Sequence, residues 1–303
     1  MKVINYTIII PHKNIPNLLQ RCLDSIPYRN DIQIIIVDDN SDPDIVDFAQ
    51  FPGLGRPCTE VYFTKEGKGA GYARNVGLRH AKGKWLIFAD ADDFFMPCIN
   101  EALDKYKDDE NDMIYFKLTS VDSETLEPHF RHNHINNILS NIQKTNNWDK
   151  IITLAPVWGK FYKQNIIFHN NIAFQETSVG NDILFTAKIS TLNIKRTISN
   201  DEIYCITYRH GSITSTTTLE TVTTRFQISC NACLYIKQCG KKKYFYEKVL
   251  THWMIVFKTN PFIAFFLFPQ LIKTCGFGFA IENIFARLRN KIRKLLNNYT
   301  KNV

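Results

Sequence analysis

The sequence lacks an apolar run long enough to cross a membrane as one helix. Residues 253–272 are apolar but interrupted by one lysine, two amides and two prolines, and the continuous part covers only residues 261–268. A membrane-spanning helix needs about 20 such residues. The first residues, MKVINYTIIIPHKN, also lack the apolar segment of a secretion signal. We therefore expect a globular protein that starts and stays in the cytoplasm.

Two common site frameworks are missing as well. The eight cysteines are scattered, and the one Cys-x-x-Cys, at residues 230–233, has no second pair at zinc spacing. We expect reduced, buried thiols rather than a zinc site. The glycine-rich stretch GKGAGYARN at 67–75 matches neither the Walker A spacing nor GxGxxG, so by itself it indicates a phosphate loop only weakly.

Acidic residues are scarce in the last part of the chain. Residues 241–303 hold 12 Lys or Arg and 2 Asp or Glu, whereas residues 1–240 hold 25 and 27. The formal charge of +8 therefore lies in a basic tail on a nearly neutral body. The aromatic residues do not interleave with a basic stripe, so we do not expect a nucleic-acid binder.

The apolar pattern predicts alternating strands and helices. Strand-length runs cover residues 6–10, 32–37, 61–64, 85–89 and 113–118. Apolar residues at helical spacing lie between them, as in residues 18–26 and 70–81. This alternation predicts an α/β fold with a mostly parallel, Rossmann-like sheet and helices on both faces.

Polar residues follow three of these strands, at the edge where such sheets bind ligands. They are PHKN after the first strand, DDNSD after the second, and DADD at 90–93 after the fourth. Extended backbone would point Asp90 and Asp92 one way and Asp93 the other. Carboxylates about 4 Å apart repel by about 4 kcal/mol at an effective dielectric constant of about 20. No Lys or Arg is nearby in sequence, so we expect a divalent cation to bind here, or else an acidic turn that caps the next helix.

Several motifs in this order resemble the inverting family 2 glycosyltransferases with the GT-A fold. The resemblance rests on IIIPHKN, IIIVDDNSDP and GAGYARNVGLRHAKGKWLIFADADD, and covers residues 6 to about 97. It implies a nucleotide-sugar site that includes Pro11 and in which Asp39 holds the base and Arg74 lies at the nucleotide. It also implies that Asp92 binds Mn²⁺ or Mg²⁺, and that Asp90 lies near the ribose and the metal.

The second half of the resemblance concerns the acceptor. VGNDILF places Asp182 where the family has its catalytic base, with Asn181 where an acidic residue is common. PVWGKFY resembles the acceptor-side stretch, which implies acceptor contacts for Trp158 and Lys160, although a core role for this tryptophan is an equal alternative. YRHGSIT resembles a loop that closes over the donor diphosphate through Arg209, and a plain surface loop would have a similar sequence.

We predict a catalytic domain over residues 1–215 and a helical region over 216–303. The first comprises a nucleotide-sugar half, 1–119, and an acceptor half, 120–215. In the second, apolar residues from Ile281 to Leu296 recur at helical spacing among basic residues. This pattern is typical of a helix that lies on an anionic membrane surface, here the inner face of the cell membrane, or of a terminal helix packed on its own protein.

These observations predict a metal-dependent, inverting transferase that moves a sugar, most simply from a UDP-sugar, to a hydroxyl of a glycan or lipid-linked acceptor in cell-surface polysaccharide synthesis. One alternative is a nucleotidyltransferase on a similar sheet. That class carries a basic, glycine-rich loop after the first strand, whereas PHKNIPN has one lysine and no glycine. A non-catalytic, membrane-peripheral glycan-binding protein is the second alternative, and the presence of both Asp92 and Asp182 argues against it.

Overall fold

The computed structural model describes residues 3–209, 218–241 and 245–299, with side chains at all of these positions except 288 and 291–299. The chain divides into two compact units, residues 1–216 and 217–303. Each unit is considered by itself below.

Within its described residues, the first unit contains an eight-stranded mixed sheet in the order β3-β2-β1-β4-β7-β6-β8-β5. The strands are β1 Tyr6–His12, β2 Ile32–Asp39, β3 Thr59–Thr64, β4 Trp85–Phe88, β5 Phe94–Phe95, β6 Met113–Asp122, β7 Lys160–Lys163 and β8 Arg196–Tyr208. Strands β1 to β4 are mutually parallel, and β7 joins them antiparallel to β4. The carboxyl ends of β1, β2 and β4 therefore share one edge.

Helices cover both faces of this sheet. They are α1 Pro16–Asp24, α2 Ala70–His80, α3 Ile99–Tyr106, α4 Asn133–Thr145, α5 Gln164–Phe168 and α6 Asn181–Thr191. In β1, Ile8 packs in a core with Leu19 of α1, whereas its neighbour Ile9 packs in a second core with Val76 of α2. Burial on both faces explains why these strands are continuous apolar runs rather than alternating ones.

The predicted fold class is confirmed, and all five predicted strands are present. Three strands were missed: β5, β7 and β8. The sheet is also less parallel than expected, because β7 pairs antiparallel with both of its neighbours and β5 pairs antiparallel with β8. Helix α4 lies within the His- and Asn-rich stretch whose pattern predicted no element.

The described part of the second unit is helical: α7 Leu219–Gln238, α8 Tyr246–Thr259, α9 Pro261–Cys275 and α10 Phe277–Tyr299. Asn260 caps α9, because its side chain accepts a hydrogen bond from the N–H of Ile263 at 3.1 Å. Among these residues no single helix is both long and apolar enough to cross a membrane. The pair Pro261–Cys275 and Phe277–Arg287, bent by 119°, meets the length and composition criteria only when taken together.

Candidate active site

A tight turn after β4 brings three carboxylates together. The N–H of Asp93 donates to the carbonyl of Asp90 at 3.1 Å. One carboxylate oxygen from each of Asp90, Asp92 and Asp93 lies within 4.8 Å of the others. We expected extended backbone, with Asp93 pointing away. That expectation was wrong, because the chain turns immediately after the strand.

Asp93 is the fully buried member of this aspartate turn. Its Oδ2 accepts a hydrogen bond from the Tyr204 hydroxyl at 2.9 Å, and its Oδ1 accepts one from the N–H of Thr207 at 2.7 Å. The Tyr204 hydroxyl also accepts a hydrogen bond from the N–H of Asp90 at 2.9 Å. Burial, followed by the charges of Asp92 and Asp90, raises the pKa of Asp93 well above its usual range. Asp93 therefore braces the turn against β8.

Asp92 is the carboxylate whose environment best suits a metal ion. Its Oδ2 lies 3.8 Å from Nη2 of Arg209, and its side chain is 26% exposed. Burial, and then the charge of Asp90, raises the pKa of Asp92. A divalent cation would remove the cost of this crowding, and a donor set made only of oxygens fits Mg²⁺ or Mn²⁺. The residues present therefore fit the ion that the sequence predicts, and ligation of that ion by Asp92 and Asp90 stays a prediction.

A buried arginine links the aspartate turn to the start of α6. Nη2 of Arg74 lies 2.5 Å from Oδ1 of Asp90, and its Nη1 donates to Oδ1 of Asn181 at 2.7 Å. The guanidinium also lies over the ring of Phe174, 5.4 Å from its centre. We expected the neutralising charge to come from a bound cation alone. For Asp90 this was wrong, because folding places Arg74 beside it.

The two carboxylates that end β2 have different environments. His12 Nδ1 lies 2.7 Å from Oδ1 of Asp38, and the N–H of Ser41 donates to Oδ2 at 2.9 Å. Burial acts to raise the pKa of Asp38, but these hydrogen bonds outweigh it and lower the pKa. Asp39 accepts one bond at Oδ2, from the N–H of Gly69 at 2.8 Å, while its buried Oδ1 has no hydrogen-bond partner among the described residues. Asp38 thus fixes the turn, and contact of Asp39 with a nucleotide base stays a prediction.

The glycines before α2 permit close backbone packing. A Cβ at Gly71 would lie 2.0 Å from the carbonyl oxygen of Gln175 and 2.8 Å from Cβ of Asn181. At Gly69, where φ is +89°, a Cβ would lie 2.9 Å from the carbonyl oxygen of Thr177. Segment 175–181 therefore packs directly on the start of α2. Close packing therefore explains why glycine occupies positions 69 and 71, and no bound phosphate is needed to explain them. The same packing brings Asn181 within reach of Arg74.

Asp182 lies in the first turn of α6, immediately after Asn181. The hydrogen bond from Arg74 to Asn181 therefore joins the start of α6 to Asp90 at the aspartate turn. A carboxylate in the first turn of a helix is stabilised as the anion by the helix dipole. This is the ionisation state that a general base needs, and the base role of Asp182 stays a prediction.

The two predicted acceptor residues have different exposure. Trp158 is half-buried and stacks on Tyr204, with ring centres 5.9 Å apart and planes 13° apart. Lys160 is 5% exposed, its ammonium donates to the carbonyl of Pro156, and it lies 5.3 Å from the centre of the Tyr115 ring. These contacts hold the Lys160 side chain in the protein interior. Acceptor contacts by either residue stay predictions.

Pro11 and Arg209 complete the predicted site. Pro11 is the penultimate residue of β1 and pairs in register with Val37 of β2. Arg209 follows β8 directly, and the rest of the predicted closing loop, residues 210–214, lies outside the described residues. Nucleotide contacts by both residues stay predictions.

The structure adds residues that sequence reasoning missed. Nη2 of Arg21, in α1, donates to the carbonyl of Asp92 at 2.7 Å, and the Thr207 hydroxyl donates to the same carbonyl at 2.8 Å. Tyr204 completes this set through Asp90 and Asp93. Arg21 and Thr207 are 71 and 115 residues from Asp92, so no local motif contains these pairs.

Residues 7–168 match the family model described as glycosyl transferase family 2. This match spans more than half of the chain. The chain belongs to glycosyl transferase family 2. The matched residues include the carboxyl ends of β1, β2 and β4, where Asp39, Arg74, Asp90 and Asp92 lie.

Relatives of this family 2 glycosyltransferase are distant. Glycosyltransferase GlyA of Streptococcus pneumoniae is 27% identical over 234 residues, which are 68% of this chain and 31% of GlyA. The chain thus spans about a third of that relative's length. In structure it is similar to S. aureus TarS 1-349 in complex with UDP-GlcNAc, with a TM-score of 0.63, 20% identity, and coverage of 89% of this chain and 79% of TarS 1-349.

A second structural neighbour is mannosyltransferase PcManGT from Pyrobaculum calidifontis, in complex with GDP-Man and Mn²⁺. The TM-score is 0.55 at 15% identity, and the similarity covers 99% of this chain and 84% of that one. At these identities the two neighbours show the fold.

Proposed function

We propose that this protein transfers a sugar from a nucleoside-diphosphate sugar to a hydroxyl of a glycan or lipid-linked acceptor, with inversion, in cell-surface polysaccharide synthesis. The observation that carries the proposal is the bridge made by Arg74. It joins Asp90, in the nucleotide half, to Asn181, the neighbour of Asp182, in the acceptor half. A transferase needs its donor site and its base side by side.

The donor is most simply a UDP-sugar. The unmatched Oδ1 of Asp39 is an acceptor for one N–H, and uracil offers one such group on its pairing edge. The structural neighbour TarS was solved with UDP-GlcNAc, which fits this assignment. Mg²⁺ or Mn²⁺ held by Asp92 and Asp90 would neutralise charge on the donor diphosphate.

Transfer then follows from the residues of the chain. The acceptor oxygen attacks the anomeric carbon, the bond from that carbon to the diphosphate oxygen breaks, and the acceptor proton passes to Asp182. One displacement of this kind inverts the anomeric configuration. Arg209, 3.8 Å from Asp92, would stabilise the charge that develops on the departing nucleoside diphosphate.

Two substitutions test the assignment. We expect Asp182→Asn to reduce sugar transfer about 10²-fold to 10⁴-fold, because a general base contributes this much, while UDP affinity stays unchanged. Asp92→Ala should instead abolish the Mn²⁺-dependent part of UDP binding in a calorimetric titration. Asp44→Ala, an exposed aspartate of the same unit, is the control. Sugar transfer by Asp182→Asn at the rate of the parent protein would contradict the proposal. Equal UDP affinity of the parent protein with and without Mn²⁺ would contradict it as well. Release of pyrophosphate instead of UDP would indicate nucleotidyl transfer.

A further inference from the structure

Helix α9 presents three phenylalanine rings on its outer face. Phe262, Phe265 and Phe266 are 69%, 72% and 62% exposed. Their spacing places them on one side of the helix, where the centres of the Phe262 and Phe266 rings lie 4.8 Å apart. These three residues are called the phenylalanine face below.

The opposite side of α9 is already packed. Ala264 and Leu271 are fully buried, and the indole N–H of Trp253 in α8 donates to the carbonyl of Ala264 at 3.0 Å. This helix therefore buries alanine and leucine while it exposes three large aromatic side chains. That arrangement is the reverse of an ordinary surface helix, and clustered exposed aromatic residues mark an interaction site.

Charge identifies the occupant of this surface. Exposed Lys258 precedes α9, exposed Lys273 lies in its last turn, and residues 241–303 hold 12 Lys or Arg against 2 Asp or Glu. An apolar protein partner would not require this excess. An anionic lipid surface would, because its headgroups attract basic side chains while its acyl region accepts aromatic rings.

We propose that the phenylalanine face docks on an anionic lipid bilayer, with the rings at the acyl boundary and the neighbouring basic residues on the headgroups. The sequence pointed to the amphipathic residues 281–296 of α10, with the aromatic stretch PFIAFFLF at 261–268 beside them, and the exposed rings place the contact on α9. Docking goes beyond the proposed transfer reaction and does not depend on it.

Flotation of the full chain with vesicles tests this surface. We expect binding to vesicles that contain phosphatidylglycerol, at least about tenfold weaker binding to pure phosphatidylcholine, and weaker binding when salt is added. Substitution of all three rings, Phe262→Ser, Phe265→Ser and Phe266→Ser, should abolish binding. Because these side chains are exposed, the far-ultraviolet circular dichroism and the melting temperature should stay unchanged.

A matched pair of single variants separates docking from a general loss of aromatic surface. Phe265→Ser should weaken vesicle binding, whereas Phe130→Ser, at a ring 77% exposed in the first unit, should leave it unchanged. The triple variant should keep the UDP affinity of the parent protein, so failure of docking is distinguishable from failure of the proposed transfer reaction. Equal binding of the parent protein and the triple variant would overturn the inference. So would a dimer that the triple variant converts to a monomer, since a second copy would then be the occupant.

Discussion

Tyr204 is the residue on which the geometry of the aspartate turn depends most directly. Its single hydroxyl accepts from the N–H of Asp90 and donates to the buried carboxylate of Asp93. The sequence gives no indication of this, because the tyrosine lies 111 residues from Asp93 in β8, a strand whose pattern sequence reasoning missed.

We expect Tyr204→Phe to remove both hydrogen bonds while keeping the stacking with Trp158. The free energy of unfolding should fall by about 1–3 kcal/mol, because two buried polar groups lose a partner. The apparent affinity for Mn²⁺ in the presence of UDP should fall as well. Denaturant titration and calorimetry measure the two effects. Tyr28→Phe, at a ring 76% exposed, is the control, and an unchanged Mn²⁺ affinity in Tyr204→Phe would show that this strand does not position the turn.

Sequence reasoning predicted that the charged candidate site residues lie at one edge of the sheet, but it misjudged how they pair. The carboxyl ends of neighbouring parallel strands meet at one edge of a sheet. This rule brings together the residues that follow strands or lie in the first turns of a helix, namely Asp39, Arg74, Asp90 and Asp92. The bond between Arg74 and Asn181 joins residues 107 positions apart, and only the packed structure shows it.

At the scale of elements, the start of α2 packs so closely on segment 175–181 that no side chain fits at position 71. Gly71→Ala would place a Cβ 2.0 Å from the carbonyl oxygen of Gln175, so the backbone would have to move. We expect a loss of about 1–3 kcal/mol in unfolding free energy. A larger proportional loss of transfer activity should follow, because Asn181 and Asp182 would shift. Gly278→Ala is a matched control, since a Cβ there meets nothing within 4 Å. Parent-like stability and activity in Gly71→Ala would contradict the packing argument.

Helices α7 and α8 are joined by a hydrogen bond between Ser229 Oγ and His252 Nδ1, 2.6 Å apart. Burial, aided by the charges of Lys248 and Arg225, lowers the pKa of His252 to about 4 from 6.5. The unfolded chain therefore binds more protons than the folded chain between these pH values, and stability is lost as the pH falls through that window.

We expect the second unit to lose on the order of 2 kcal/mol of unfolding free energy between pH 6.5 and pH 4 through this histidine. His252→Gln should remove that part of the pH dependence, whereas His169→Gln, at an exposed position of the first unit, should not. Urea unfolding followed at several pH values measures the difference. An identical pH profile for His252→Gln and the parent protein would contradict the assignment.

The elements that sequence reasoning missed have physical reasons in common. Strand β5 is only two residues long, and β7, with the sequence KFYK, has two aromatic residues between two lysines rather than a continuous apolar run. Strand β8 carries Asn200, Asp201 and Glu202 in its middle, which breaks its apolar pattern. Helix α4 has only two buried side chains, Leu139 and Ile142, in a polar stretch. By contrast, β1 to β4 were predictable because their apolar runs are continuous and bounded by polar turns.

At the scale of the whole molecule, the distribution of charge was predictable from the sequence. The exposure of the phenylalanine face was not. The basic excess of residues 241–303 is a matter of counting. Which apolar side chains remain exposed depends on the side of α9 that packs on α8. The sequence of α9 is apolar on nearly every side, so its pattern does not distinguish the two faces.

The unmatched oxygen of Asp39 has a consequence for the stability of the whole protein. A buried acceptor without a partner destabilises the ligand-free fold, and a donor group that binds there would offset this cost. We expect Asp39→Asn, which keeps an oxygen for Gly69 but places an N–H donor where the unpartnered acceptor is, to weaken UDP binding while it changes the unfolding free energy by no more than about 1 kcal/mol. Denaturant titration and calorimetry on one preparation measure both, and loss of stability together with loss of binding would show that the carboxylate is structural.

The same feature predicts which part of the donor stabilises the protein. In the proposed function the base alone bonds to the Asp39 oxygen, so uridine without phosphates should already raise the melting temperature of the parent protein, and should fail to do so in Asp39→Asn. Nucleoside recognition would then be separable from the diphosphate and metal chemistry at the aspartate turn. An inhibitor of this enzyme would accordingly need no charge to occupy the base subsite.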